Sequence, residues 1–487
     1  MSCAVEELQQ RTFRFVGEEL QVRFIGDWRP AERSQLFRYN LHYLEWLWVL
    51  AAQQDRVAAR SLFDQLWREW SNGTRFGSWD EWSPYVVALR LWVLCGVFSE
   101  LAAEGPLAGE LRDTIGLHAG FLRRNVEFDV GGNHLIKNLK ALFGAGVFLG
   151  HEGLVRFALA HLERQMAIQV HEDGGHFERS PSYHAQVLGD LIDVVRLGEA
   201  AQIRIPARVV AAVGSMRQWL RLMQLPDGSL PPFGDCAPVT RGRLRALDAH
   251  ERLPFDGVRA LAASGYVILK RGRWQAVLDV GGPCPPDLPA HAQAGCLGFV
   301  LCLDGRTVAS EAGTSTYVGE RRRYERSTAA HSTIEIDGEN QTEVWSSFRA
   351  GRLARATLHE IGDRPIDLLA RASHDGYRFL PGSPRHERTW RLSEGGLRID
   401  DRLIGSGFHM LTSRIHVTGS CDELTVTVTD PSGRPFPVGL VPTRRASGFG
   451  QLVDGFVVTA TVTASLPTAL TTALTDSRSL TGARTQE

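Results

Sequence analysis

The hydrophobic period of this chain changes once, and that change restricts the possible folds more than any other feature. From about Gln35 to Leu225 apolar residues recur every three to four positions, the spacing that lines one face of a helix. The segments Leu36 to Ala52, Pro84 to Ala102, Leu107 to Val126, His134 to Leu149, Leu154 to His171, Pro181 to Ala200 and Pro206 to Leu225 read as successive helices, with turns such as Asn72-Gly73-Thr74 and Glu172-Asp173-Gly174-Gly175 between them. After Leu253-Pro254-Phe255-Asp256-Gly257 the period becomes two. Tyr266–Lys270, Ala276–Val280, Phe299–Leu303, Ser332–Ile336 and Leu424–Val428 read as strands, with Asp-Gly turns at Asp304-Gly305 and Asp337-Gly338. A helical run of this length implies a solenoid or a closed α/α toroid, and the short strands imply an antiparallel sandwich. The expected class is α+β and multidomain, with a helical domain over 1–255 and a β-domain over 256–487. At 487 residues the chain also exceeds what one hydrophobic core ordinarily serves. The polar tail from Asp476 onward reads as frayed.

Charge excludes one class of partner. Lys and Arg number 54 against 55 Asp and Glu, so bulk charge does not hold this protein to a nucleic acid, although a local basic groove for an anionic ligand remains compatible with it. No apolar run reaches the roughly 18 residues of a membrane span, which predicts no membrane association. Met1-Ser2-Cys3-Ala4-Val5-Glu6-Glu7 lacks a basic stretch followed by an apolar one, so the sequence reads as cytoplasmic. A periplasmic or secreted chain trimmed of its leader would read the same. Seven cysteines without CxxC spacing suggest neither a disulfide framework nor a cysteine metal site.

Four segments carry polar residues that the fold alone does not require. Gly131-Gly132-Asn133-His134 precedes a helix, where Asn133 is placed to cap it. In His176-Phe177-Glu178-Arg179-Ser180-Pro181-Ser182-Tyr183-His184 the Ser-Pro step starts a helix, which leaves the Tyr-His pair one turn later unexplained. Leu288-Pro289-Ala290-His291-Ala292-Gln293-Ala294-Gly295 is a loop leading into a strand. The last segment runs from Glu311 through Tyr317 to His331.

In order and spacing these segments resemble the signature regions of the heparinase II/III superfamily of polysaccharide lyases. The resemblance covers nearly the whole chain and includes Leu36-Phe37-Arg38-Tyr39-Asn40-Leu41-His42-Tyr43 and Asp337-Gly338-Glu339-Asn340-Gln341-Thr342-Glu343-Val344-Trp345. It implies an incomplete α/α toroid followed by an antiparallel β-sandwich, acting on an acidic polysaccharide (a glycosaminoglycan or alginate) by β-elimination. Such a reaction removes the proton on C5 of a uronate and expels the oxygen on C4, so it needs stabilisation of carboxylate charge, a base and an acid. By the resemblance Asn133 and His291 serve the carboxylate and Tyr183 is the general acid, also the base for one C5 configuration. His134 is then the base for the other configuration, and Tyr317 matches a second tyrosine used as base in alginate-cleaving relatives. Arg38, Tyr39, Asn40, His42, Trp79, Trp82, Tyr85 and His184 are expected to contact substrate. The four residues Asn133, His134, Tyr183 and His291 are expected to converge on one cleft.

One loop departs from the family pattern. Where relatives carry a second histidine and an aspartate, this chain has Gln293 and Gly295. With Glu311 and His331, Gln293 would form an altered zinc site, and an amide oxygen is a much weaker zinc ligand than imidazole. The expectation is that no cofactor is required and that a divalent metal has at most a structural role there. Two other readings stand beside the lyase. A uronyl C5-epimerase needs the same proton abstraction and carboxylate clamp, and a non-catalytic glycan-binding protein of polysaccharide assembly would need neither. A hydrolase needs a carboxylate pair at its cleft, and Asp173 with Glu178 is the only pair near these segments.

Overall fold

The computed structural model describes residues 4–419 and 423–478, except for the side chain of Trp79. After a short antiparallel pair, Thr12–Phe15 with Glu18–Gln21, helices dominate the chain up to Ala246, and strands dominate from Gly257, where the period changes. Two compact units are present. One comprises residues 1–167 and 189–211, the other residues 168–188 and 212–487.

The first unit is built around the helix Pro84–Leu101, whose sequence is apolar on nearly every side. By length and composition alone it is apolar enough to cross a membrane, against the sequence expectation. Its burial is that of a core helix instead: Val86, Val87, Leu91, Leu94, Val97 and Leu101 are all fully enclosed. At its centre the buried Arg90 donates to the carbonyls of His42 and Glu81 and to His118 Nε2. The helix Gly132–Leu149 packs along it, and Gly144 is required at the crossing because a Cβ there would lie 2.8 Å from the Trp92 ring. The expected helix Leu36 to Ala52 is in fact two, Gln35–Tyr43 and Leu47–Ala51, broken where Leu44 turns left-handed at φ 59°. A helix absent from the expected set, Arg56–Gly73, is capped by Asp55 and buries Ala59, Leu62, Phe63, Leu66, Trp67 and Trp70 on one face.

In the second unit, two antiparallel sheets face each other. Among the described residues one has six strands, in the order Ala356–Asp363, Leu368–His374, Arg385–Ser393, Gly396–Ile404, Thr468–Asp476 and Leu424–Thr429. The other has nine and includes Tyr266–Arg271, Trp274–Asp279, Phe299–Leu303 and Phe408–Thr418. Alternation places Trp390, Leu392, Leu397 and Ile399 of the first sheet against Leu269, Leu278, Phe299 and Leu301 of the second in one core. The expected strands at 266–270, 276–280, 299–303, 332–336 and 424–428 are all present within two residues of those bounds. Asp476 closes a strand and pairs with Arg478, and the rest of the expected frayed tail, 479–487, lies outside the described residues.

Candidate active site

Three of the expected site residues meet in the second unit. Tyr183 occupies the first turn of the helix Pro181–Ala200, after Ser180, whose hydroxyl donates to the carbonyl of Asp235. His291 ends the short 3-10 turn Pro289–His291. Tyr317 lies just before the helix Gly319–Arg326. The two phenolic oxygens are 2.9 Å apart and share a hydrogen bond, and the His291 ring stacks on the Tyr183 ring with centroids 3.9 Å apart.

His291 is buried, and both its nitrogens face carboxylates. Nδ1 is 3.1 Å from Asp235 Oδ2 and Nε2 is 3.4 Å from Glu178 Oε2. Burial opposes a charged imidazole, but the bonds to Asp235 and Glu178 prevail and hold its pKa up at about 9. The ring is therefore an imidazolium under Tyr183, a different arrangement from the expected donor aimed at a substrate carboxylate. Asp235 is buried too. Burial would raise its pKa, but Arg322 and His291 keep it well below the usual carboxylate range. The loop bearing Glu178 is pinned by the next residue. Arg179 adopts φ 58°, donates to Asp279 at 2.6 Å and accepts from the Tyr266 hydroxyl through its carbonyl. A Cβ at Gly281 would lie 1.9 Å from this guanidinium, so glycine is needed there. A non-glycine residue held left-handed by several bonds is the kind of strain found where a neighbour must be placed accurately.

The first unit holds the other two expected catalytic residues. The helix of Asn133 and His134 starts two residues earlier than capping by Asn133 would need. Gly131, at φ 68°, is the N-cap, and Asn133 is buried in the first turn. His134 is partly exposed, packs its ring against that of Tyr85 at a tilt of 33° with centroids 4.1 Å apart, and presents Nδ1 to Glu127 Oε1 at 3.1 Å. Glu127 is itself fixed by Asn138, which donates from Nδ2 and accepts the Glu127 amide through Oδ1. A carboxylate at Nδ1 selects the tautomer whose Nε2 lone pair is free to accept a proton.

Several expected substrate contacts are occupied inside the protein. His184 is a correction: Nε2 faces the Met216 carbonyl at 2.8 Å, Nδ1 accepts from the His176 amide, and the ring stacks on Trp219. Burial takes its pKa down to about 3, so it is a neutral strut. Asn40 donates to the Leu36 carbonyl, and buried His42 accepts from Trp70 Nε1. Trp82 packs between Phe76, Phe121 and His118. Arg38 pairs with Asp80 at 2.8 Å, and Tyr39 accepts from Gln35. Tyr85 keeps a role as the platform under His134. Trp79 lies outside the residues whose side chains are described.

The residues expected at an altered zinc site do not make a zinc ligand set. Glu311 Oε2 bonds His331 Nδ1 at 2.6 Å, and Glu311 also accepts the amides of Phe299 and Ser332. Gln293 donates to Asp235 and Thr314. Two buried atoms, Gln293 Oε1 and His331 Nε2, have no hydrogen-bond partner among the described residues, and both residues line a water-sized cavity of about 10 Å³ with Arg179 and Asp279. One amide oxygen and one imidazole beside a guanidinium fall short of the three or four nitrogen, sulfur or carboxylate ligands zinc takes. No group of three His, Cys, Asp or Glu among the described residues is placed to hold a metal.

Sequence reasoning missed Asp235, Arg322 and Glu127 and gave Glu178 no role in elimination. Asp235 sits in the unremarkable stretch Pro232-Phe233-Gly234-Asp235, and Arg322 is the middle of Arg321-Arg322-Arg323, a run that reads as solvated charge. The signal available for Glu178 was its proximity to Tyr183.

A helical region followed by antiparallel β-sheets, with paired phenols backed by imidazole, defines a chain of polysaccharide-lyase fold. Residues 256–464 match the family model described as Heparinase II/III-like, C-terminal, and residues 111–252 match Heparinase II/III N-terminus. The chain belongs to the heparinase II/III-like superfamily. It is 28% identical over 383 residues to FtsZ-localized protein C of Caulobacter vibrioides, covering 75% of this chain and 64% of that one. It is 26% identical over 360 residues to a heparin-sulfate lyase of Pedobacter heparinus, covering 64% of this chain and 53% of the relative. The chain thus spans less than two thirds of either relative. A crystal structure of heparinase III matches 92% of this chain and 79% of its own with a TM-score of 0.79 at 16% identity, a likeness of fold.

Proposed function

We propose that this protein is a polysaccharide lyase that cleaves uronic-acid-containing chains by β-elimination. The observation that carries the reading is the phenol pair of Tyr183 and Tyr317, 2.9 Å apart over an imidazolium. Two phenols sharing one hydrogen bond can divide the two proton transfers, one oxygen accepting the C5 proton and the other delivering a proton to the departing O4. A cation stacked beneath Tyr183 stabilises phenolate character on that ring. Asn133 is assigned to the substrate carboxylate, and His134, with Nδ1 held by Glu127, to the C5 proton of the opposite configuration. A panel of uronans, followed by the ultraviolet absorbance of unsaturated ends, tests the reading. An epimerase would change sugar configuration without that absorbance.

A second reading has its own support. The similarity to FtsZ-localized protein C covers more of this chain than the similarity to the Pedobacter lyase, and that name denotes localisation and no reaction. On this reading the protein binds a glycan without cleaving it, and Tyr183→Phe leaves binding unchanged.

A further inference from the structure

We propose that Arg322 is a positioning residue that holds the two site tyrosines together, because its guanidinium closes a ring of contacts through Asp235, His291, Tyr183 and Tyr317. The inference rests on the lyase reading for its kinetic consequence only.

The ring can be followed contact by contact. Arg322 grips Asp235 with both terminal nitrogens, one at 2.7 Å from Oδ2 and the other against Oδ1. Asp235 holds His291 Nδ1, His291 stacks on Tyr183, and the Tyr183 hydroxyl meets that of Tyr317. The face of Tyr317 then lies under the same guanidinium, whose carbon is 5.1 Å from the ring centroid. Nε and one terminal nitrogen also donate to the Ser347 carbonyl at 3.0 and 2.9 Å, which fixes the plane of the group. Arg322 and Asp235 are each 1% exposed. Other charged or titratable groups near the ring are Glu178 at His291 Nε2, His176, which interacts with Glu178 and His291, Glu325, which interacts with Arg322, and Arg326, which donates to the carbonyl of Ala292.

Only the middle arginine of its run does this. Arg321 pairs with Glu325, and the exposed Arg323 pairs with Glu320. The task suits arginine and not lysine, since it needs a planar fork for a carboxylate and a flat cationic face for an aromatic ring in one group. With no zinc ligand set at Gln293, the loop of His291 is tied instead to Asp235, which Gln293 also contacts at 3.1 Å. A side chain of the protein thus provides the cation that orders this loop.

The test compares Arg322→Ala, Arg322→Lys and the control Arg323→Met, each with and without millimolar guanidinium chloride against equal sodium chloride. Loosening two phenols by an ångström is expected to cut kcat by about a hundredfold in Arg322→Ala, with KM changed less than about threefold. Guanidinium is expected to restore part of that loss, sodium none. Arg322→Lys falls in between and Arg323→Met equals the parent. The second readout needs no activity: ring resonances of carbon-13 tyrosines, with Tyr183 and Tyr317 assigned by their Phe variants. Both signals should shift in Arg322→Ala and return with guanidinium. If Arg322→Ala does not fold, the Tyr317 shift in Arg322→Lys decides. Unmoved Tyr183 and Tyr317 signals in a folded variant, or no rescue by guanidinium, would overturn the proposal. Failure of the parent to cleave any uronan would sink the lyase reading instead and leave the resonances to judge the ring.

Discussion

The second unit contains two buried networks of histidine, aspartate and arginine, and they hold their imidazoles in opposite states. At the candidate site His291 lies between two carboxylates, Asp235 and Glu178, and keeps a proton up to about pH 9. In the sandwich His386 faces Asp401 at 2.6 Å, but Asp401 is already committed to Arg388, and the other ring nitrogen faces His374. Burial therefore wins there, and both His374 and His386 are held below the usual imidazole range. Residue types are shared; the number of carboxylates per imidazole differs. One network stores a cation beside a phenol. The other is a neutral fastening, in which Arg388 also binds the carbonyls of Leu297 and Ser332.

The largest effect should come from breaking the fastening. Arg388→Met leaves Asp401 buried without its cation, which costs about 3–5 kcal/mol of stability by chemical denaturation. A loss under about 1 kcal/mol would mean that the sandwich network is not a structural clamp.

At the site the same kind of damage should appear in turnover and not in stability. Tyr183→Phe is expected to lower uronan cleavage by about a hundredfold or more while the melting temperature barely moves. Near-normal activity in the folded variant would remove Tyr183 from the mechanism.

The comparison sharpens as a function of pH. Folded His291 keeps its proton to about pH 9, whereas an unfolded imidazole loses it near ~6.5. Its contribution is complete below ~6.5 and disappears as pH rises through about 9. The lowered His374 and His386 act in the other direction: below ~6.5 the unfolded chain takes up protons that the fold refuses, and stability falls with acid. Each proton changes the slope by at most about 1.4 kcal/mol per pH unit. Denaturation curves from pH 5 to 10 should show His291→Gln flattening the alkaline fall and keeping the acid one. An unchanged alkaline limb would contradict the charged state of His291.

Chelation should do least. With Gln293 where an imidazole would be needed and Glu311 committed to His331, EDTA is expected to leave both thermal stability and uronan cleavage nearly unchanged. Abolished turnover restored by one divalent metal would show a working metal site.

How much of this was legible beforehand depended on whether a property is local. The single change of period fell where the β-region with its two large sheets begins, because alternation and helical spacing are written in consecutive residues. Tyr183, His291 and Tyr317 were visible as polar residues in segments with no structural need of them. Their partners were not. Asp235 lies 56 positions from His291 and 87 from Arg322, and nothing in a linear reading separates Arg322 from Arg321 and Arg323. His184 misled for the complementary reason: beside Tyr183 it looks reactive, yet the helix turns it toward Trp219 and the Met216 carbonyl.

The amino-acid order by itself determined the helical and β-regions, the turn glycines and which short segments carry unusual polar residues. Tertiary structure alone decided which carboxylates face which imidazole, hence which histidine is charged, and which arginine of three is buried. Protonation and orientation depend on groups within a few ångströms in space, and chain distance does not encode that neighbourhood.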